Sequence, residues 1–483
     1  MRIRDLNVSL EDGGNGPLYI RVAEAVLAAI RKARVPAGVL LPGVRDLAER
    51  LGVHYNTVLV ALRELEAQGW VEAKPSSGFA VSQAPREPSS RFRADMPTTP
   101  GFDIPARLAP ITDARNLVMD MSEGVADARL APTDALAQAY QRGLRLKGPT
   151  LLGSSDPKGL LRLREGLCKL LSQQRALPAQ PEQILILRSS AFAVSLVAQA
   201  LIGREEGHVA VENPGSPNVW ETVRQASSAQ LHPLPVDAKG LDPDALEALL
   251  SRIRLNLLIL TPQCHFPTGV RLDPARRKRV LELSRHYRFP ILEMDPEFDY
   301  LPASDPMPRP LAAEDTTGQV LYVGSLSRLL APGIRVAFLG VPTSLSDRLA
   351  KARQRMDWQG DPALEWAVSE LLVDGEITRH QRRIRKAALE RHDALRDALE
   401  HTFQDRLHIM PGHGAMALWL KGIGRYDDAM RFKLWIRSCG LKGLKLRPGS
   451  YYDFEGRENA FTRMGFTGFT PEELQQAVDQ MAM

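Results

Sequence analysis

The stretch Gly324-Ser325-Leu326-Ser327-Arg328-Leu329-Leu330-Ala331-Pro332-Gly333-Ile334-Arg335 follows an apolar, strand-like run from Val320 to Val323. Hydroxyls and two guanidinium groups on a loop that leaves a strand are candidate partners for an anion. They cannot do amine chemistry. A Schiff base needs a neutral nitrogen lone pair, which Lys supplies when burial lowers its pKa. A guanidinium stays charged at physiological pH with its lone pairs delocalised, so Arg328 can neither form an imine nor shuttle the proton of an amino transfer.

The loop needs a scaffold, and the chain offers one. From about Asn116 onward, apolar runs (Ile184 to Leu187, His208 to Val211, Leu255 to Leu260, Pro290 to Leu292, Val320 to Val323) alternate with helical patterns such as Phe192 to Leu201, Pro243 to Arg252 and Pro274 to His286. This predicts an α/β unit with a mostly parallel sheet and a site at the strand C-termini. The 483 residues suffice for about three domains, and 25% charged with 44% hydrophobic residues is a soluble globular profile. Lys+Arg exceed Asp+Glu by 62 − 57 = 5, which permits nucleic acid without diagnosing it. Cys168, Cys264 and Cys439 are odd in number and far apart, which argues against disulfides and zinc. No leader or membrane-length apolar run is visible, so a cytoplasmic location is expected.

The first eighty residues have a different character. Pro17 opens an amphipathic helix, Val44 to Leu51 forms a short one closed by Gly52, and a third starts near Tyr55 and ends at Gln68-Gly69. Trp70 to Ala73 and Phe79 to Ser82 alternate as a hairpin around Lys74-Pro75-Ser76-Ser77-Gly78. Two short helices on a tight Gly turn, with a wing, make a winged helix-turn-helix. From Leu18 to Val81, including Leu41-Pro42-Gly43-Val44-Arg45-Asp46-Leu47-Ala48 and Leu51-Gly52-Val53-His54-Tyr55-Asn56-Thr57-Val58, the chain resembles the GntR superfamily of bacterial transcription factors. That resemblance implies double-stranded DNA as partner, contacted by Arg45, by His54, Tyr55, Asn56 and Thr57, and by a wing of Lys74, Ser76, Ser77 and Gly78. Tyr55 stands where family members commonly have Arg. Read without the resemblance, Arg45 is a surface ion-pair partner.

The expected division is residues 13–82 as DNA-binding domain, 83–115 as a Pro-, Ser- and Arg-rich linker, and 116–483 as the α/β domain. The last resembles fold-type-I pyridoxal-phosphate enzymes, specifically the aminotransferase-like domain of MocR-type regulators. The carriers are Asp156-Pro157-Lys158-Gly159, Val211-Glu212-Asn213-Pro214-Gly215, Thr261-Pro262-Gln263-Cys264-His265-Phe266-Pro267-Thr268-Gly269, Ile291-Leu292-Glu293-Met294-Asp295-Pro296 and the Ser325 to Arg335 loop. The resemblance places Arg328 at the cofactor lysine, Ser189 and Ser190 together with Arg335 at the phosphate, and Asp295 at the pyridine nitrogen. It puts His265 at the ring hydroxyl and Arg463 at an amino-acid carboxylate; Ser327 belongs to the same loop. Ser154 and Ser216 replace expected aromatics, and the Tyr expected shortly after Asp295 is missing. Simpler readings remain for several: Asp295 and Arg335 as an ion pair at strand ends, His265 as a structural histidine, and Arg379 to Arg391 as a solvated basic face.

The function expected is a dimeric DNA-binding regulator reading two half-sites. Its large domain would sense an anionic effector through Arg328, Arg335 and Arg463, or only dimerise, without Schiff-base chemistry. Two alternatives stand beside it: a regulator holding pyridoxal phosphate noncovalently, and a working aminotransferase, against which Arg328 argues.

Overall fold

The computed structural model describes residues 3, 6–10, 16–75, 77–82, 103, 119–203, 205–301, 309–412 and 415–482. Ser76 and the expected linker, apart from residue 103, lie outside these residues. The chain separates into two compact units, 1–111 and 112–483.

In the first unit, α1 (Leu18–Lys32) buries Val22, Ala25, Val26, Ala29 and Ile30, one stripe at helical spacing. Pro17 precedes it, as the pattern predicts. Helix α2 (Val44–Leu51) stops at Gly52, whose φ of 64° is left-handed, a conformation that costs Gly little. Helix α3 (Tyr55–Ala67) sends Val58, Ala61, Leu62 and Leu65 into the same core. The wing strands β1 (Val71–Lys74) and β2 (Gly78–Val81) pair antiparallel from Val71 opposite Val81 to Lys74 opposite Gly78. Each is displaced by a residue from the alternation expected. The guanidinium of Arg31 lies 4.7 Å from the Trp70 ring centre and ties α1 to the foot of the wing.

In the second unit, a short strand β3 (Met119–Asp120) runs parallel to β14 (Leu444–Lys445). The main sheet contains β4 (Ile184–Leu187), β5 (Gly207–Asn213), β6 (Ala229–Asp237), β7 (Gly240–Leu241), β8 (Leu257–Leu260), β9 (Ile291–Met294), β10 (Val320–Ser325) and β11 (Ala337–Gly340). Their order is β4-β11-β10-β9-β8-β5-β6-β7. The pairs β6-β5, β5-β8, β8-β9 and β9-β10 are parallel, whereas β11 is antiparallel to both neighbours. The parallel core agrees with the apolar runs, which are continuous because helices cover both faces. The antiparallel β11 was not anticipated from the sequence. Neither was a second sheet, β12 (Leu407–Ile409), β13 (Ala417–Gly422), β16 (Phe461–Gly465) and β15 (Arg447–Pro448), also antiparallel.

The basic segment Arg379 to Arg391 belongs to a 28-residue helix, Glu376–Phe403. It is only partly a solvated face. Arg391 is buried against Asp127 at 2.7 Å, and Arg385 donates to the Asp299 carbonyl at 3.0 Å. Among the described residues, no helix is long and apolar enough to cross a membrane.

Candidate functional site

The DNA-reading candidates gather on one small unit. Arg45 is exposed in the first turn of α2, and His54, Tyr55 and Asn56 are exposed at the start of α3, with Thr57 half-buried. The ring of His54 is already engaged: its Nδ1 accepts the Asn56 backbone N–H at 3.2 Å and caps the helix. That fixes the imidazole against α3 and leaves Nε2 as its outward polar atom. On the wing, Lys74 and Gly78 are exposed and Ser77 is half-buried. Lys74 Nζ sits 2.5 Å from Glu72, so an anion approaching it competes with a neighbouring carboxylate.

In the large unit, the segments expected to form a site do follow the C-terminal ends of β4, β5, β8, β9 and β10. Most of their side chains, however, face internal partners. Ser189 Oγ accepts the Phe192 N–H at 3.1 Å and caps the helix Ser190–Leu201; Ser190 begins that helix, half-buried. Ser327 Oγ donates to the Ile334 carbonyl at 2.5 Å, closing its own loop. Gly324 must be Gly, because an added Cβ would lie 2.3 Å from the Phe338 ring.

Arg328 is half-buried and donates from Nη1 to the Gly124 carbonyl at 2.9 Å, with Met416 Sδ at 3.7 Å. Its own carbonyl accepts from Tyr300 Oη at 3.0 Å. Tyr300 is thus an aromatic hydroxyl after Asp295, five residues on, directed at the loop backbone. Arg335 is exposed.

Asp295 is buried and accepts from Tyr322 Oη at 2.6 Å, with Arg175 Nε at 3.6 Å. Arg175 also donates to Tyr322 Oη at 2.6 Å, lies 3.4 Å from Asp299 and stacks over Phe298 at 3.7 Å. The ion pair read between Asp295 and Arg335 is therefore not formed; Arg175 is the partner. Burial pushes the Asp295 carboxyl up, against the opposing pull of Arg175 and Tyr322.

His265 is buried, with Nδ1 2.7 Å from Thr268 Oγ1 and Nε2 3.7 Å from Glu212. Burial, reinforced by the charge of Arg463, pushes its pKa down to about 3, so the imidazole is neutral at physiological pH. Burial pushes the Glu212 carboxyl up to about 8, against hydrogen bonds from the Thr261 N–H and hydroxyl at 2.9 and 2.8 Å. Arg463 donates to Glu297 Oε1 at 2.6 Å and to the Pro267 carbonyl at 2.8 Å, with its guanidinium 4.6 Å from the Phe266 ring centre.

Arg175, Glu212, Glu297 and Tyr322 were not singled out from the sequence. The signal was there for one of them: Tyr322 lies inside the otherwise apolar run Val320 to Val323, where a polar group needs a partner.

A mostly parallel eight-stranded sheet in which only β11 and the short edge strand β7 run antiparallel, accompanied by a smaller antiparallel sheet, is the fold of the fold-type-I aminotransferases. The chain belongs to the aminotransferase class I and II family, which it matches over residues 117–481. Residues 18–81 match the bacterial regulatory proteins of the gntR family. Together these give the two-part architecture of MocR-type regulators.

It is 24% identical over 477 residues to the probable rhizopine catabolism regulatory protein MocR of Rhizobium meliloti, covering 98% of this chain and 94% of that one. To the HTH-type transcriptional regulator TauR of Rhodobacter capsulatus it is 27% identical over 506 residues, covering 98% and 97%. The fold resembles a kynurenine aminotransferase of Pyrococcus horikoshii with a TM-score of 0.71 at 22% identity, over 79% of this chain and 96% of that one.

Proposed function

We propose that this protein is a cytoplasmic DNA-binding transcriptional regulator that acts as a homodimer on an operator with two half-sites. Residues 13–82 would form the DNA-binding domain, 83–115 the linker and 116–483 a module that senses an effector or dimerises, without Schiff-base chemistry. The single observation that carries the non-enzymatic part is the buried ion pair of Arg463 with Glu297. An amino-acid substrate would need that guanidinium for its own carboxylate, and an internal carboxylate already holds it.

The other residues do not fit a covalently held pyridoxal phosphate either. Position 328 offers a guanidinium, and Asp295, the expected partner of a pyridine nitrogen, is bound by Tyr322 and Arg175. Ser189 and Ser327 direct their hydroxyls at the backbone. These arrangements support a site that has left cofactor chemistry. The second reading, pyridoxal phosphate held noncovalently, rests on the exposed Arg335. A rise in melting temperature on adding the cofactor, without a borohydride-trapped adduct, would favour it.

On DNA, α3 would enter the major groove with Tyr55 to Thr57 leading, at a length of about 20 Å. Arg45 would bond a phosphate or a guanine edge, and the wing would touch the adjacent backbone. A dimer supplies two such units, which explains why the operator would have two half-sites. The test is Arg45→Ala in the full-length protein. Operator affinity should fall at unchanged oligomeric state, and unchanged affinity would remove α2 from the interface. Affinity should also drop steeply with salt as counterions are released.

A further inference from the structure

Within the large unit a cavity of about 380 Å³ lies where the end of β6 and the Thr268 to Val270 turn face the smaller sheet. Trp419, Phe461, Met410, Val236 and Val270 give it an apolar lining, with Asp453 among the few polar groups. We propose that this cavity binds a compact, flat, uncharged aromatic molecule. As an effector site the proposal rests on the sensor reading above, and it changes the ligand class from the anion that the arginines suggested.

Three observations carry it. The size falls within the range of small-molecule sites, roughly 300–1,000 Å³. Trp419 and Phe461 both line the cavity and stack on each other, with ring centres 5.4 Å apart and planes inclined by 8°. A stacked aromatic pair favours a further ring laid against its open face or edge-on.

The third observation is that the polar rim is already matched. Both oxygens of Asp237 accept from Arg276 at 2.7 Å, and Oδ1 also accepts the Lys239 N–H. Asp453 accepts from the Arg457 side chain and from the backbone N–H groups of Glu455 and Arg457. Asn459 accepts the Phe461 N–H at 3.3 Å and donates to the Arg457 carbonyl at 3.2 Å. An anion would meet two carboxylates with no Lys or Arg among the described lining residues. A cation would have to displace arginines already in place. Burying either charge without a free partner is costly, whereas an uncharged ring loses nothing there.

The cavity is also separate from the eroded cofactor positions. None of Ser189, Ser190, His265, Asp295, Ser327, Arg328, Arg335 or Arg463 lines it. Yet it touches the turn beside His265 and the strands β13 and β16, the latter carrying Arg463. A ligand there would favour whichever arrangement keeps those two elements together.

The experiment uses the full-length protein with indole, indole-3-acetate and tryptamine as probes, read by melting temperature. Indole should raise it in a saturable way, with the two charged analogues weaker by about tenfold or more. Val236→Phe, which fills the cavity, should abolish the response. Phe461→Leu, which removes one ring of the stacked pair, should weaken it and serves if the filled variant does not fold. No response to indole, an equal response to indole-3-acetate, or a response that survives both substitutions overturns the site. Operator affinity is measured separately with and without indole. A melting response without any change in DNA affinity supports the cavity and overturns only its link to sensing.

Discussion

Arg463 Nη2 donates to Glu297 Oε1 at 2.6 Å, with side chains 1% and 2% exposed. The two residues are 166 positions apart in the chain, on β16 and just after β9. Glu297 Oε2 also lies 3.6 Å from Cys264 Sγ, and Nε of Arg463 is buried without a hydrogen-bond partner among the described residues. The guanidinium thus meets its carboxylate inside the protein, in surroundings where salt screens little.

Removing one partner leaves an uncompensated buried charge, so Glu297→Ala should cost about 3–5 kcal/mol. Replacing both, as in Glu297→Met with Arg463→Met, should cost much less than the single change, because apolar pairs of similar volume replace buried ion pairs with little loss. Urea denaturation of the large unit measures both. A single variant as stable as the parent would mean that the pair is not closed in solution.

Restoring the amine alone should not restore the reaction. Arg328→Lys returns a nucleophilic nitrogen and removes the bond to the Gly124 carbonyl, while Glu297 continues to occupy Arg463. The variant should show no amino transfer from an amino acid to a keto acid with added pyridoxal phosphate. Turnover by this single variant would show that Arg463 opens to substrate.

Gly52 holds the turn between α2 and α3 at a φ of 64°. Gly52→Ala forces a Cβ into that left-handed region and should cost about 1 kcal/mol or more. The loss should appear in the transition of the DNA-binding unit by calorimetry and leave that of the large unit in place. Equal loss in both would mean that the two units do not unfold separately.

The buried Glu212 sets a pH dependence. Its folded pKa, about 8, is raised from 4.5 by burial. Between those values the folded state holds a proton that the unfolded chain releases, so its contribution is full below about 4.5 and is lost as pH rises through about 8. Glu212→Gln keeps an acceptor for Thr261 without titrating. The stability of the parent relative to this variant should therefore decline from pH 5 to about 8 in thermal denaturation, and parallel curves would contradict a protonated Glu212.

The sequence by itself determined the pieces whose physics is local. The buried stripe of α1, the Gly52 stop and the β-rich runs that became β4, β5 and β8 to β10 follow from spacing, turn chemistry and continuous apolar length. So did the guanidinium at position 328, which rules out imine formation by that side chain wherever it lies. The antiparallel β11 and the second sheet stayed hidden, because short apolar runs carry no mark of direction. The tertiary structure alone decided which charges meet. Arg463 finds Glu297, Asp295 takes Arg175 in place of Arg335, and Arg328 reaches a carbonyl 204 residues away. Spacing along a chain reports only neighbours within a few turns. Partners for a buried charge are chosen by which strand ends and helices pack together, and burial then makes an unmet charge too costly to leave.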